Sequence, residues 1–270
     1  MIIWENKDEN NSQLFRWAKM TATEATNVAI VVGAASGIGE ACAINFARKG
    51  ITVNLFDVDV LSLKKAQQKI LDFGGIARIW KVDILDESQI ECAVDEVFQE
   101  FGQIDILVNS VGVTGPTGIP AHNMSIEQFQ TIFNLNFFAA IALQGHVVKY
   151  MLPKKYGRIV HIASISGKEG NPGMAPYSSS KAALIGFVKT TGKELALEGI
   201  SVNAVAPAVI RTNINANTSP EVLSYMLGKI PMNRMGEPKE VADMVAFATS
   251  PECSFVTGFV FDLSGGRATY

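Results

Sequence analysis

From residue 28 onward, short runs rich in β-branched residues alternate with longer amphipathic segments, and turn residues separate the two. This alternation is typical of repeated βαβ units on a parallel sheet. The short runs are apolar at consecutive positions, as strands covered on both faces must be. The sequence therefore predicts an α/β fold with one domain, in which a doubly wound sheet of about seven parallel strands carries helices on both faces.

The element boundaries follow from the same pattern. Strands are predicted at 28–32, 51–56, 76–82, 104–108, 157–162, 201–205 and 259–262. Helices are predicted at 38–48, 61–73, 87–101, 126–151, 175–197 and 238–248. Segments 113–124 and 208–237 break the rhythm, and the second holds one short helical pattern near 221–227. Loops of this length usually belong to binding sites.

Residues 26–270 are predicted to form this domain, and residues 1–25 an N-terminal extension. The first residues carry charges and lack a continuous apolar stretch, so they do not resemble a secretory signal. The helical run 128–148 contains Asn136, Gln144 and His146, which makes it too polar for a membrane span. We expect no contact with a membrane.

Charge and cysteine content exclude several further classes. The chain of 270 residues has 23 basic and 26 acidic side chains and a net charge of −3. No block of one sign indicates binding to nucleic acid, so a small molecule is the expected partner. Cys42, Cys92 and Cys253 are far apart, which favours neither a disulfide framework nor a metal site. A reducing, cytoplasmic location fits this pattern.

A glycine-rich turn follows the first predicted strand and leads into a helix. It reads Gly33-Ala34-Ala35-Ser36-Gly37-Ile38-Gly39. Glycines allow main-chain N–H groups to approach a pyrophosphate, which the positive end of the next helix also favours. Asp57 ends the second strand, where a carboxylate binds ribose hydroxyls and repels a 2′-phosphate. This Rossmann-type arrangement predicts NAD as the cofactor.

A second group of residues indicates acid–base chemistry. Tyr177 and Lys181 are four residues apart at the start of a predicted helix, so they lie on one face. A neighbouring ammonium and a positive nicotinamide favour a phenolate. Ser164 closes the fifth strand, where ligand groups collect in such sheets. Asn136 is an amide in an otherwise apolar helix, and it needs a partner or a function there.

Together these motifs resemble the short-chain dehydrogenase/reductase family over residues 26–270. The glycine turn is similar to T-G-x-x-x-G-x-G, Asn109-Ser110-Val111-Gly112 to N-N-A-G, and Pro207-Ala208 to P-G, with Val32, Ser110, Val111 and Ala208 departing from those patterns. The resemblance implies that Tyr177 is the general acid/base, Lys181 lowers its pKa and binds ribose, Ser164 positions the substrate oxygen and Asn136 holds a relay water. It implies cofactor contacts at Gly33, Ser36, Gly37, Ile38, Gly39, Asp57, Asp83, Ile84, Asn109, Gly112, Tyr177, Lys181, Pro207 and Thr212.

The predicted activity is hydride transfer between NAD(H) and the secondary alcohol or ketone of a small polar substrate. The ending Leu263 to Tyr270 resembles sugar-acid dehydrogenases of the family, so a deoxy-keto sugar acid is a candidate. A ketone reductase similar to 3-oxoacyl carrier-protein reductases and a non-catalytic NAD-binding regulator are the alternatives. Arg267 in this ending suits recognition of a carboxylate, and packing of the tail is the competing interpretation. The resemblance also implies a homotetramer.

Overall fold

The computed structural model describes residues 26–212, 220–268 and 270. The predicted extension 1–25 lies outside the described residues. Seven strands form one sheet: β1 Val28–Val32, β2 Thr52–Asp57, β3 Ala77–Lys81, β4 Ile106–Asn109, β5 Gly157–Ile162, β6 Ile200–Pro207 and β7 Val260–Leu263. All neighbours pair in parallel, in the order β3-β2-β1-β4-β5-β6-β7. The predicted doubly wound fold is confirmed.

Helices cover both faces of this sheet. They are α1 Gly37–Arg48, α2 Val60–Leu71, α3 Glu87–Phe101, α4 Ile126–Phe133, α5 Ala139–Met151, α6 Ile165–Glu169, α7 Ala175–Glu194, α8 Pro220–Gly228 and α9 Pro238–Ala248. One apolar core joins the sheet to α3, α5 and α7, and the other joins it to α1, α2 and α9. The central strands are fully buried because each has helices on both sides.

The structure differs from the predicted helices in three places. The predicted helix 126–151 contains a π-helical turn at Asn134–Phe138, in which Asn136 is buried. The predicted helix 175–197 ends at Glu194, before a 3₁₀ turn at Ala196–Glu198 and a left-handed glycine. No helix was predicted in segment 165–174, but this segment begins with α6, because the Ser164 side chain accepts a hydrogen bond from the Ser166 N–H and caps that helix.

Segment Ile126–Met151 is long and apolar enough to cross a membrane by length and composition alone. Its inward side chains, including Leu143, Val147 and Met151, belong to the core against the sheet. Asn136 and Gln144 are also buried there and hydrogen-bond within the domain. This environment is that of a core helix.

Candidate active site

The sheet reverses its winding between β1 and β4, and a cleft opens at the carboxyl ends of these strands. Such switch points are where open α/β sheets bind ligands. The turn after β1 has two glycines with positive φ, Gly33 at +79° and Gly37 at +57°. A Cβ at Gly39 would overlap the main chain of Gly33. Only glycine therefore allows α1 to start this close to β1.

The first turn of α1 is open to a ligand. Ser36 occupies the N-cap position, but its side chain makes no capping hydrogen bond. The cleft beside it has an empty volume of about 1190 Å³. Uncapped N–H groups, the positive end of the helix and this space fit the pyrophosphate of a dinucleotide. The predicted cofactor residues that line this cleft are Gly33, Ser36, Gly37, Ile38, Gly39, Asp57, Asp83, Ile84, Gly112 and Thr212.

Two carboxylates stand at the outer end of this cleft. Asp57 ends β2, and its Oδ2 accepts a hydrogen bond of 3.2 Å from the Ala35 N–H. Its other oxygen accepts one of 3.1 Å from the Asp59 N–H. Asp83 accepts one of 3.0 Å from the Leu85 N–H. These bonds hold both side chains at strand ends, where they add negative charge beside the glycine turn.

A second cleft, with an empty volume of about 790 Å³, adjoins the first and shares Ile38, Ser110, Gly112 and Thr212 with it. Ser164, Tyr177, Lys181 and Pro207 line it. Ser164 follows β5, and Tyr177 lies in the first turn of α7. Lys181 lies one turn further along α7 and donates a hydrogen bond of 2.7 Å to the Ile162 carbonyl. The structure thus brings together the three polar groups that the sequence predicted.

Burial controls the protonation of these groups. It lowers the pKa of Lys181 to about 8, because the ammonium has lost its water. It also raises the pKa of Tyr177, and the nearby Ser164 side chain acts in the opposite direction. Burial therefore has the larger of these two effects on the Tyr177 pKa. A positive charge close to Tyr177 favours its phenolate form.

Asn136 lies behind the clefts and lines neither of them. Its Oδ1 accepts a hydrogen bond of 2.9 Å from the Val113 N–H, and its Nδ2 donates to the Val113 carbonyl and to Ser180 Oγ. Ser180 in turn donates to the Tyr177 carbonyl at 2.8 Å. The side-chain amide thus joins the loop after β4 to α7 and so fixes the position of Tyr177.

Asn109 is also behind the cofactor cleft, with 2% of its surface exposed. Its Oδ1 accepts a hydrogen bond of 3.2 Å from the Val111 N–H, and its Nδ2 lies 3.4 Å from His161 Nδ1. Burial, with a smaller contribution from Lys181, lowers the pKa of His161 to about 3. The imidazole is therefore neutral, and it links Asn109 to Gln144.

Sequence reasoning missed the contribution of Ser110. It departs from the family pattern, but its hydroxyl donates a hydrogen bond of 2.6 Å to the Val32 carbonyl. The same oxygen lies against the positions that Cβ atoms on Gly33 or Gly39 would occupy. This contact ties β4 to the glycine turn. The departure from the pattern was the signal that could have identified it.

The outer wall of the catalytic cleft comes from four separate segments of the chain. Thr114 belongs to the loop after β4, Asn171 to the segment after α6, and Met226 to α8. Arg267 from the C-terminal segment completes the wall. Among the described residues, no group of three or more histidine, cysteine or acidic side chains could hold a metal ion. Together, the dinucleotide cleft and the adjoining Ser–Tyr–Lys cleft define a dinucleotide-dependent oxidoreductase.

Comparison with known proteins agrees with this class. A family model described as enoyl-(acyl carrier protein) reductase matches residues 33–268. The 2-dehydro-3-deoxy-L-rhamnonate dehydrogenase (NAD(+)) of Sphingomonas sp. is 39% identical over 242 residues, covering 90% of this chain and 95% of the relative. The 3-oxoacyl-[acyl-carrier-protein] reductase FabG of Thermotoga maritima is 37% identical, covering 88% and 96%. The structure of an NAD⁺-bound xylitol dehydrogenase superposes with a TM-score of 0.84 at 32% identity, covering 89% and 98%. The chain belongs to the short-chain dehydrogenase/reductase family.

Proposed function

We propose that this protein uses NAD(H) to interconvert a secondary alcohol and a ketone in a small polar substrate. The observation that carries the proposal is that Ser164, Tyr177 and Lys181 line one cleft, which adjoins the cleft beside the glycine turn and shares Ile38, Ser110, Gly112 and Thr212 with it. A proton-transfer group and a dinucleotide site are thus adjacent. The NAD dependence of the rhamnonate dehydrogenase and the NAD⁺ in the xylitol dehydrogenase structure support the choice of cofactor.

Four side chains have separate roles in the proposed reaction. Tyr177 takes the proton from the substrate hydroxyl in oxidation and returns it in reduction, while Ser164 hydrogen-bonds to the same substrate oxygen. Lys181 binds a ribose hydroxyl and keeps positive charge close to Tyr177. Asn136 holds Val113 and Ser180 and thereby the start of α7. When bound, the nicotinamide supplies the hydride acceptor or donor, and its positive oxidised form favours the Tyr177 phenolate.

The remaining predicted contacts divide between the parts of the cofactor. The pyrophosphate is bound by the glycine turn, at Gly33, Ser36, Gly37, Ile38 and Gly39. The adenosine ribose is bound by Asp57. Asp83 and Ile84 contact adenine. Gly112, Pro207 and Thr212 lie towards the nicotinamide end, and Asn109 acts through the loop that it holds. Because Asp57 would have to approach a 2′-phosphate, we propose that NAD is preferred to NADP.

Within this reaction class we propose a deoxy-keto sugar acid as the substrate. The similarity to the rhamnonate dehydrogenase and the polar wall at Thr114, Asn171 and Arg267 support it. The second candidate is reduction of a 3-oxoacyl group, which the FabG relative supports. That group is a thioester on an acidic carrier protein, and the net charge of −3 on this chain does not favour docking of such a partner.

We also propose a cytoplasmic homotetramer that acts on small molecules without a membrane or nucleic acid. The three cysteines are free thiols, which suits a reducing compartment. Phe138, Phe247 and Phe259 are each about half exposed, and such aromatic surface favours contact between subunits. The mass measured by light scattering tests the assembly.

The direct test follows NADH formation with purified protein and paired sugars, sugar acids and alditols. We expect turnover of at least one secondary alcohol with NAD, and faster turnover of acids than of an acetoacetyl thioester in the reverse direction. Binding of NADH without turnover of any substrate would instead support a regulator. Faster reduction of the thioester would favour the second candidate.

A further inference from the structure

The C-terminal segment after β7 folds back over α6. Lys168 forms an ion pair of 3.0 Å with Asp262, and the Tyr270 hydroxyl donates to the Lys168 carbonyl at 2.9 Å. Arg267 reaches Glu169, 98 positions earlier in the chain. These contacts place an arginine from the end of the sequence in the wall of the catalytic cleft.

The Arg267 guanidinium is held along one edge. Its Nε donates a hydrogen bond of 2.9 Å to Glu169 Oε2, and Nη2 lies 2.8 Å from the same carboxylate. Nη2 also donates to Asn171 Oδ1 at 2.8 Å. Asn171 is itself fixed, because it donates to Ser166 Oγ and its N–H donates to Ser178 on α7. This network determines where the guanidinium lies relative to the α7 helix that carries Tyr177.

One donor group of Arg267, Nη1, forms no hydrogen bond with the described residues. Within the part of the chain that the structure describes, the hydrogen bonds of Arg267 involve Nε and Nη2. Nη1 is not a fully buried atom that lacks a partner, so it is accessible at the surface of the side chain. Yet only 5% of the side chain is exposed, and the residue lines the catalytic cleft. The guanidinium is thus largely desolvated, fixed in place, and left with donors for a ligand.

The charges of the cleft favour an anion as that ligand. Among its described lining residues, the ionisable groups besides Tyr177 are Lys181 and Arg267, both basic. Lys181 already donates to the Ile162 carbonyl. Glu169 is outside the lining and braces the guanidinium from behind. A carboxylate bound to a fixed, poorly hydrated guanidinium forms short, charge-assisted hydrogen bonds, whereas a hydroxyl forms weaker ones.

We propose that Arg267 determines specificity by binding the carboxylate of a short polyhydroxylated acid whose secondary alcohol reaches Tyr177. This inference rests on the proposed oxidoreductase function. It assigns a role to a residue of the C-terminal segment, and it gives Glu169 and Asn171 the role of positioning that residue. It favours substrate binding over a tail that only packs, because a packing arginine needs no unused donors at the cleft.

The test compares substrates that differ only at the terminal carbon. Wild type, Arg267→Gln and Arg267→Lys are assayed with NAD on D-xylonate and xylitol, and on 2-dehydro-3-deoxy-L-rhamnonate with its C1-reduced counterpart. The control is Arg78→Gln, because Arg78 also pairs with a glutamate through Nε, at 2.8 Å, but lies on β3. Thermal unfolding and NADH binding report whether each variant is folded.

We expect wild type to prefer the acid of each pair. Arg267→Gln should raise KM for acids about tenfold or more, leave KM for the alditols within about twofold, and preserve NADH binding. Arg267→Lys should recover part of the loss, since it keeps the charge but not the planar donors. If Arg267→Gln is unfolded, Arg267→Lys still allows acids to be compared with alditols, because it keeps the positive charge. Its KM should then rise by an intermediate factor for acids and stay unchanged for alditols.

Two results overturn the inference. One is an equal effect of Arg267→Gln on acids and alditols, as a packing role would give. The other is a wild-type preference for alditols. Both results leave NAD-dependent turnover intact and therefore leave the proposed function standing. Failure of the proposed function is different, because no alcohol of either kind would then be oxidised.

Discussion

Lys181 Nζ lies 2.7 Å from the main-chain carbonyl of Ile162, the last residue of β5. This bond fixes the ammonium at the end of the central strand that precedes Ser164. It also explains why a lysine with 3% of its surface exposed can be tolerated there. The carbonyl compensates only part of the lost hydration, so the pKa of Lys181 falls to about 8.

The lowered pKa of Lys181 predicts a specific pH dependence of stability. Below pH 8 the lysine is protonated in both the folded and the unfolded chain, and the folded state bears the cost of a buried charge. Between pH 8 and the unfolded value of 10.5 the folded protein loses that charge first, so its stability rises. Lys181→Met removes this gain. The difference in unfolding free energy between variant and wild type should therefore shift by about 2–3 kcal/mol in favour of wild type from pH 7 to pH 10.

Urea unfolding at several pH values measures this effect. Lys189→Met is the matched control, because Lys189 is an exposed lysine on the same helix. Its difference from wild type should stay constant over this range. A constant difference for Lys181→Met as well would show that the lysine is not desolvated.

Tyr177→Phe should abolish turnover while leaving cofactor binding intact. The substitution removes the hydroxyl that exchanges the proton but keeps the ring in the wall of the catalytic cleft. We expect kcat to fall by about 10²-fold or more, with the Kd for NADH within about twofold of wild type. Tyr156→Phe is the control, since Tyr156 precedes β5 at the opposite end of the sheet. A Tyr177→Phe variant with near-normal kcat would exclude the proposed acid–base role.

The periodicity of the sequence was sufficient for the sheet and most helices, because burial on both faces imposes a strong local pattern. The strand at Val28–Val32 and the helices at Glu87–Phe101 and Pro238–Ala248 match their predicted bounds. The π-helical turn at Asn134–Phe138 was not predicted. Within it, Asn136 donates hydrogen bonds to the Val113 carbonyl and to Ser180 on another helix. Such tertiary partners leave no periodic trace in the sequence.

In the candidate active site, too, the residues placed by local structure could be predicted from the sequence, and the tertiary contacts could not. Ser164, Tyr177 and Lys181 could be predicted together because their spacing reflects one strand end and one helix turn. The partners of Arg267 could not be predicted, because Glu169 and Asn171 are almost a hundred residues away in sequence and contact it only in the folded structure. The direction of the Tyr177 pKa also depends on burial, which motif spacing does not report.

Asp57 should control the choice between NAD and NADP. In the wild type, the carboxylate would lie beside a 2′-phosphate with no lysine or arginine at Ser36 or Val58 to compensate. Asp57→Ala combined with Val58→Arg removes the repulsion and adds a guanidinium. We expect the ratio of kcat/KM for NAD to that for NADP to fall by about tenfold or more. Val58→Arg alone is the control and should change the ratio much less. Equal use of both cofactors by wild type would contradict this role.

Two glycine-to-alanine substitutions distinguish a glycine that the NADH site requires from a glycine that only lowers the stability of a helix. A Cβ at Gly39 would overlap the main chain of Gly33, so Gly39→Ala should displace α1 and raise the Kd for NADH about tenfold or more. At Gly145, in α5, nothing lies within 4 Å of the added Cβ. Gly145→Ala should therefore stabilise the helix by about 0.5–1 kcal/mol and leave NADH binding unchanged. Fluorescence titration with NADH and urea unfolding measure the two effects. Normal NADH affinity in Gly39→Ala would contradict the proposed role of the glycine turn in binding the cofactor.

Asp105 should be the acidic residue whose loss most affects stability. Its side chain is fully buried, and Oδ1 lies 2.5 Å from Lys154 Nζ. Oδ2 accepts hydrogen bonds from the Val28 N–H at 2.8 Å and from Gln103 at 2.9 Å, so the carboxylate ties the start of β1 to the loop before β4. Asp105→Asn replaces one acceptor by a donor facing an ammonium or an N–H. We expect the free energy of unfolding, measured with urea, to fall by about 3 kcal/mol.

Glu100→Gln is the control. It breaks the surface pair with Arg78 and should lower the free energy of unfolding by less than about 1 kcal/mol. Equal losses in the two variants would mean that burial adds nothing to the importance of Asp105.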